Sequence, residues 1–291
     1  MPNPKDVPMP TFSTPEPITA TVDLGVGYLR VTAEDRSDTQ VLIEPTNPGS
    51  RHDIRAADET TVDFARGRLT VRAPRGKLLG LLSGSVTVNV TLPTGSRVVA
   101  SAGVADIDST GRLSDCRYKT GTGRVQLQSV DGVVVKSGSG GIRIDEIRTE
   151  GSLTTGSGDV HIGTVAGRVH VRNASGNNSF GDVRGSVTVK GASGDITADS
   201  LDGELNAKTA SGSLRIEDAV GGTASLTTAS GSIDVGIHEG TAAWLDAHAA
   251  SGEVRNGLDT ASGPEEATGT VRITARNYAG DIFIRRTHLV S

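Results

Sequence analysis

Small apolar residues alternate with polar residues along most of the chain. Residues 159–162 (Asp-Val-His-Ile) and 168–171 (Arg-Val-His-Val) show this alternation. A period of two is typical of a β-strand that buries one face, whereas an amphipathic helix repeats its apolar positions every 3.6 residues. The pattern predicts many short strands, each of about four to six residues.

Glycines divide this pattern into a repeat. Four successive intervals between Gly140 and Gly212 are 18 residues long. A second glycine follows about nine residues after the first in most copies, so each copy has two halves, and each half holds one strand and one corner. The first glycines are Gly123, Gly140, Gly158, Gly176, Gly194, Gly212, Gly231, Gly252 and Gly280, and the second are Gly132, Gly167, Gly185, Gly203 and Gly240.

A repeat of 18 residues predicts an all-β fold, a parallel β-solenoid with two strands in each coil. The period is too short for a helix-containing repeat, and a unit that cannot bury its own apolar face must stack on its neighbours. Ile196 and Leu205 are predicted to be buried, whereas Thr197 and Asn206 are predicted to be exposed. Aligned copies place Val160, Phe180, Ile196, Leu214 and Ile233 on or one pleat from the first inner wall, and Val169, Val187, Leu205 and Ala224 on the second.

The regularity of the repeat predicts the domain organisation. Residues 51–58 could form one helical turn between strands, and the apolar run 77–82 is expected to pack over the end of the solenoid. The predicted sections are an extended tail (1–17), a diverged β-strand section (18–83), the repeat solenoid (84–258), and a loop followed by C-terminal capping strands (259–291).

Composition agrees with a thin interior. The chain has 291 residues with 38 glycines and only 3% aromatic residues, whereas a globular core usually contains more large side chains. The net charge of −5 is spread along the chain, so no nucleic acid partner is expected. The single cysteine, Cys116, excludes an intrachain disulfide.

The first residues contain many prolines and lack the apolar run of a signal peptide. No stretch approaches the 18 consecutive apolar residues of a transmembrane helix. The sequence therefore predicts a cytoplasmic protein with no transmembrane segment.

Several phrases resemble a known bacterial family. These are residues 86–96 (VTVNVTLPTGS), 14–20 (TPEPITA), 67–74 (GRLTVRAP), and the repeated Ala-Ser-Gly followed by Asp or Ser. They are similar to the β-strand-repeat family labelled "putative adhesin", a domain of unknown function, and the glycine and alanine content resembles actinobacterial members. The resemblance implies a repeat-built β fold, and it supplies no activity, substrate or catalytic residue.

Acidic residues recur directly after the repeat glycine, at Asp159, Asp195 and Asp281. Polysaccharide lyases and hydrolases built on parallel β-helices place carboxylates on adjacent coils. However, Asn177 separates Asp159 from Asp195, which sets the two carboxylates roughly 10 Å apart at the strand spacing, and no other group converges on them. A turn-capping role is therefore the preferred interpretation, and no catalytic residue is predicted.

Neither a metal nor a cofactor is predicted. The glycine-aspartate phrases differ from the calcium-binding nonapeptide repeat, in which the aspartate lies two residues beyond the last glycine. His161 and His170 are expected to face outwards on opposite walls, and the other histidines show no metal-ligand spacing. The serines of the Ser-Gly pairs are expected to be corner residues, because no nucleophile elbow is present.

Two classes of function remain. The first is a non-catalytic scaffold or binding module, adhesin-like and possibly self-associating, and the alternative is a carbohydrate-active enzyme on a β-helix. The partner is predicted to be an unknown protein or another anionic molecule, or a second copy of the chain. The candidate binding residues form an outward-facing, mainly positive strip, with Glu204 as the only nearby acid: Arg168, His170, Arg172, Lys190 and Lys208. A solvated strip that binds no partner is the simpler alternative.

Overall fold

Strands one repeat apart pair in parallel and build most of the structure. Val169 pairs with Val187, and Val187 pairs with Leu205. The predicted parallel β-solenoid is therefore confirmed. The computed structural model describes residues 9–74, 84–258 and 269–287, and the apolar run at 77–82 lies outside them. The chain divides into two compact units, Met1–Ile144 and Asp145–Ser291.

The described residues of the first unit form nine strands and one short helix. Strand β10 (Ile142–Ser157) begins in the last three residues of the first unit. The other elements are β1 (Thr11–Ser13), β2 (Thr19–Glu34), β3 (Asp38–Pro45), α1 (Arg51–Asp58), β4 (Thr61–Ala65), β5 (Arg68–Arg72), β6 (Ser85–Pro93), β7 (Arg97–Leu113), β8 (Cys116–Thr122) and β9 (Val125–Ser139).

Strand β2 lies between strands that follow it in the sequence. One edge of β2 pairs in parallel with β7, and the other edge pairs in parallel with β5 and β6. Beyond these, β3 pairs with β6 and β4 pairs with β5, both antiparallel. The repeat therefore gives way to antiparallel strands in this section, where the glycine signature is also missing from the sequence.

The predicted helical turn is present as α1, and its start is defined by side chains. The hydroxyl of Ser50 accepts a hydrogen bond from the backbone N–H of Asp53, as an N-cap should. Asp53 in turn accepts hydrogen bonds from the N–H groups of Asn47 and Ser85. Burial opposes ionisation of Asp53, but these hydrogen bonds outweigh it and lower the pKa of the carboxyl group.

The second unit contains the most regular coils. Each coil has a strand on a first wall and a strand on a second wall, and in β15 and β16 one continuous strand covers both. The strands are β11 (Val160–Val165), β12 (Arg168–Ser175), β13 (Asn178–Val183), β14 (Ser186–Ser193), β15 (Ile196–Ser211), β16 (Leu214–Ser230), β17 (Ile233–Ile237), β18 (Thr241–Ser251), β19 (Val254–Asn256), β20 (Gly269–Ala279) and β21 (Ile282–Arg286).

The inner walls follow the predicted register. On the first wall Ile196 pairs with Leu214, and both are buried, while Leu205 on the second wall is also buried. Asn206 is exposed and Thr197 is partly exposed. Phe180 lies in the column one pleat away, beside Ala198, so a small residue makes room for the largest one in this part of the interior.

The two corners of each coil require glycine for different reasons. All nine first glycines have a positive φ, from +118° at Gly194 to +146° at Gly212, a conformation that other residues rarely adopt. The predicted positive φ is absent at second glycines such as Gly185 and Gly203. There a Cβ would collide with a carbonyl oxygen of the preceding coil, so close backbone approach selects glycine.

Buried polar side chains line the inside of most first corners, three residues before the first glycine. Thr228 donates a hydrogen bond to the carbonyl oxygen of Gly212 at 2.9 Å, and the side-chain amide of Asn277 donates to Gly231 at 2.7 Å. These bonds occupy carbonyl groups that the corner removes from the sheet ladder. The column consists of Thr155, Asn173, Thr209, Thr228 and Asn277, with Gly191 interrupting it.

The last two coils of the second unit do not stack in chain order. Strand β20 pairs with β16 on one edge and with β18 on the other, and β21 likewise lies between β17 and β19. The sequence predicts that the C-terminal strands cover the end of the solenoid. Among the described residues, the outermost strands at this end are instead β18 and β19.

Candidate functional site

The predicted basic strip lies on the outer face of the second wall. Arg172 pairs with Lys190, and Lys190 pairs with Lys208, on β12, β14 and β15. All three side chains are exposed. Their backbones are therefore separated by one strand spacing each, about 4.8 Å. We call Arg172, Lys190 and Lys208 the basic column.

Arg168 and His170 lie on the same strand as Arg172, but the register places them in neighbouring columns. Arg168 pairs with Ser186, and His170 pairs with Thr188. Glu204 shares the column of Arg168, and it accepts a hydrogen bond from Ser186 at 3.1 Å. The structure therefore brings the five candidate residues onto one face, with three of them in a single line.

The basic column has no acidic partner among the residues that the structure describes. No carboxylate oxygen of these residues lies within 4.0 Å of the nitrogen atoms of Arg172, Lys190 or Lys208. Two like charges at this spacing repel by about 1 kcal/mol in water. Anionic groups placed over the column would remove that repulsion, so the arrangement favours an anionic ligand.

Sequence reasoning missed further positive side chains at the same repeat position, four residues before the first glycine. In the second unit Lys208 pairs with Thr227, Thr227 pairs with Arg276, and Arg276 pairs with His248. In the first unit Lys119 pairs with Lys136 at this position. When the repeat copies are aligned on the first glycine instead of the second, the recurrence of positive side chains at this position becomes visible.

Arg276 differs from the basic column because it has a partner. Its guanidinium group donates hydrogen bonds to the Asp246 carboxylate and, at 2.8 Å, to the Asp246 backbone carbonyl. The hydrogen bond from Arg276 lowers the pKa of Asp246, and Asp246 raises the pKa of Arg276. The charge of Arg276 is therefore compensated within the protein.

The aspartates after the first glycine are corner residues. A carboxylate oxygen of Asp159 accepts the N–H of Asn177 at 2.8 Å, and the side-chain oxygen of Asn177 accepts the N–H of Asp195 at 3.0 Å. Asp195 accepts the N–H of Ser213, and Asp281 accepts the N–H of Glu253. Each side chain bonds the equivalent residue of the adjacent coil. These aspartates therefore have a structural role at the corners, but their hydrogen bonds cross to the adjacent coil instead of closing their own turn.

The described histidines do not converge on a metal site. Nδ1 of His161 lies 2.8 Å from the hydroxyl of Ser179, whereas His170 is exposed on the opposite wall. No group of three or more His, Cys, Asp or Glu suited to a metal occurs in the described part of the chain. His288 lies outside the described residues.

A charged network that sequence reasoning missed holds β21 in place. Nδ1 of His238 lies 2.8 Å from Asp218, and the hydroxyl of Thr287 donates to the same carboxylate at 2.6 Å. Arg286 donates to the backbone carbonyls of His238 and Thr241. These bonds connect the end of β21 to β16 and to the turn before β18, which indicates a structural role.

Cys116 lies inside the first unit and is buried. Burial raises the pKa of its thiol and also the pKa of the buried Tyr118, two residues further along β8. Because the thiolate is the nucleophilic form, a thiol that is held protonated is unreactive. Cys116 is therefore a packing residue.

Comparisons with known proteins point to one family. The family model described as Toastrack DUF4097 matches residues 27–285. No curated protein matches the chain. In the described part of the chain, no helix has the length and apolar composition required to cross a membrane.

Several crystal structures resemble the chain over nearly its whole length. A protein described as a putative adhesin from Bacteroides fragilis NCTC 9343 is 14% identical, with a TM-score of 0.38, and the match covers 97% of this chain and 98% of that one. A putative adhesin from Parabacteroides merdae ATCC 43184 is 13% identical, with a TM-score of 0.38 and coverage of 97% and 96%. A protein described as a putative lipid binding protein from Parabacteroides distasonis ATCC 8503 is 11% identical, with a TM-score of 0.32 and coverage of 97% and 96%.

Proposed function

The chain belongs to the Toastrack DUF4097 family, and we propose that this member is a non-catalytic binding module that holds an anionic partner on its second wall. The observation that carries the proposal is the basic column. Arg172, Lys190 and Lys208 are stacked in register and exposed, and no described carboxylate compensates them. Arg168 adds a further positive charge to this face, and His170 lies between Arg168 and Arg172.

The enzymatic alternative has little support. The aspartates that could serve a glycosidase each accept a backbone hydrogen bond at a corner, and they lie in a regular column along the solenoid. A glycosidase requires two carboxyl groups that differ in environment, so that one stays protonated and the other ionised. Asp159 and Asp195 make the same kind of contact, which fits a structural role.

The solenoid supports binding because it is rigid. The strands of the second wall are fixed by parallel ladders on both edges, from β12 to β16. The positions of the three cations are therefore set by the backbone, and a ligand would need to order only their side chains. The cytoplasmic location and self-association remain predictions, which cell fractionation and light scattering would test.

Charge reversal tests the proposed surface. The triple variant Arg172→Glu, Lys190→Glu, Lys208→Glu should fail to recover the partner from native cell extract at low salt, while the wild type recovers it and releases it as salt rises. A matched control reverses three exposed arginines of the first unit: Arg30, Arg68 and Arg72. Equal recovery by the two triple variants, with both correctly folded, would reject the basic column as the binding surface.

A further inference from the structure

The columns on either side of the basic column differ in chemistry, and the side chains of the three columns together indicate the class of ligand. On one side lie Thr188 and Asn206, which pair with each other and offer a hydroxyl and a side-chain amide. On the other side lie the exposed Ala192 and Ala210, whose short side chains leave the cations accessible. The face therefore combines positive charge with neutral hydrogen-bonding groups.

We propose that the second wall binds an acidic polysaccharide of the polyuronate class, which runs along the solenoid with its carboxylates over Arg172, Lys190 and Lys208. This inference rests on the proposed function and names the ligand class of the same surface. In an extended twofold 1,4-linked polyuronate each unit advances by roughly one strand spacing and turns about half a revolution relative to the unit before it, so carboxylates on one side recur at about two strand spacings. Two such carboxylates would meet Arg172 and Lys208, with Lys190 between them. The hydroxyl groups of the sugars would meet Thr188 and Asn206.

An exposed aromatic residue extends the face in the direction of the last coils. Tyr278 is 72% exposed. It belongs to the same column as Ala192 and Ala210, because Thr228 pairs with Asn277 and Ser230 pairs with Ala279. An exposed aromatic ring offers an apolar surface on which the C–H face of a sugar can lie. A polyuronate that reaches this coil would contact Tyr278.

The same features disfavour other polyanions. Proteins that bind single-stranded nucleic acids interleave cations with aromatic residues on which successive bases stack. Within the coils that carry the basic column, the columns beside it hold a single aromatic ring, that of His170, and otherwise Thr188, Asn206 or alanines, so the cations do not alternate with a series of stacking rings. Inorganic polyphosphate offers acceptor oxygens but no hydroxyl groups that could donate to the side-chain carbonyl of Asn206. Recognition of hydroxyl groups is therefore the property that separates the ligand classes.

Direct binding to purified polymers tests the inference. Sodium polygalacturonate should bind the full chain in a salt-dependent manner, and its fully methyl-esterified form, which lacks the charge, should not bind. Lys190→Gln combined with Lys208→Gln should weaken binding of polygalacturonate at least about tenfold at low salt, because two charge-assisted contacts are lost. The matched control is Arg68→Gln combined with Arg72→Gln on the first unit, which should leave binding unchanged.

A second pair of variants separates the ligand class from the proposed function. Thr188→Ala combined with Asn206→Ala keeps every charge, and it should weaken binding of polygalacturonate about threefold to tenfold while leaving binding of polyphosphate unchanged. If polyphosphate binds as tightly as polygalacturonate, or if the alanine pair changes neither, the polyuronate class is wrong while the anionic surface stands. If neither polymer binds and charge reversal of the basic column leaves partner recovery intact, both proposals fail.

Discussion

The regular coils of the second unit and its last two coils share one local pattern but differ in how they stack. In both regions the first glycine has a positive φ, as at Gly194 and Gly280, and a polar residue follows it. In the regular coils each strand pairs with the strand one repeat later. In the last two coils, β20 is inserted between β16 and β18. Local geometry is therefore independent of stacking order.

Burial explains which coil takes the inner place. The inward residues of β20 include Val271 and Ile273, which are buried. Those opposite them on β18 are Ala243 and Leu245, which are only partly buried. Because the free energy of burial grows with apolar area, the coil with larger side chains gains more from contact on both edges. The coil of β18, which presents alanine at one of these positions, loses less free energy of burial when it lies at the edge.

The largest expected effect is the removal of the inserted coil. A chain that ends at Thr268 lacks β20 and β21, so β18 and β19 lose the strands with which they pair. Limited proteolysis followed by mass spectrometry should show new cleavage between β17 and the end of β19, while the coils from β11 to β16 resist. The anisotropy of Trp244, the single tryptophan, should fall. An unchanged cleavage map would show that β18 and β19 have other support.

A matched pair of core truncations should differ between the two regions. Ile196→Ala removes a side chain that is 2% exposed, and it should lower the free energy of unfolding by about 2–5 kcal/mol. Leu245→Ala, in the outermost coil, should lower it by less than about 1.5 kcal/mol, because less apolar area is buried there. Chemical denaturation measures both changes. Thr197→Ala is the surface control, with an expected change within about 0.5 kcal/mol. Equal losses at Ile196 and Leu245 would contradict the open end.

The smallest expected effects concern the positive side chains. Lys190→Gln should raise the free energy of unfolding by a few tenths of a kcal/mol at low salt, because it removes repulsion from Arg172 and Lys208, and the gain should vanish at high salt. Arg276→Gln should have the opposite sign, because Asp246 loses its partner.

The effect of Arg276→Gln also depends on pH. Asp246 has a lowered pKa in the folded chain, so its contribution is present above the ordinary value of 3.8 and is lost as the pH falls through the folded value. The difference between wild type and Arg276→Gln in thermal unfolding should therefore shrink below about pH 4. A difference that stays constant down to pH 2 would exclude the ion pair as its cause.

The repeat, the two strands of each coil and the inward residues could be predicted from the sequence, because they depend on local alternation and on contacts with the adjacent coil. The sequence placed Ile196 and Leu205 inside, and it aligned Arg172, Lys190 and Lys208 in one column. The column could be found because a fixed period converts spacing along the chain into pairing in space.

The stacking order of β2 in the first unit, and of β18 and β20 in the second, depends on tertiary contacts. A strand with free edges can pair with any strand of matching pattern, so the local signal is the same whether β18 or β20 lies beside β16. The choice depends on the apolar area that each arrangement buries, summed over both walls. Burial summed over distant strands also places β2 between β7 on one edge and β5 and β6 on the other, although all three follow β2 in the sequence. It also gives Arg276 a partner in Asp246, 30 residues away, while the basic column has none among the described residues.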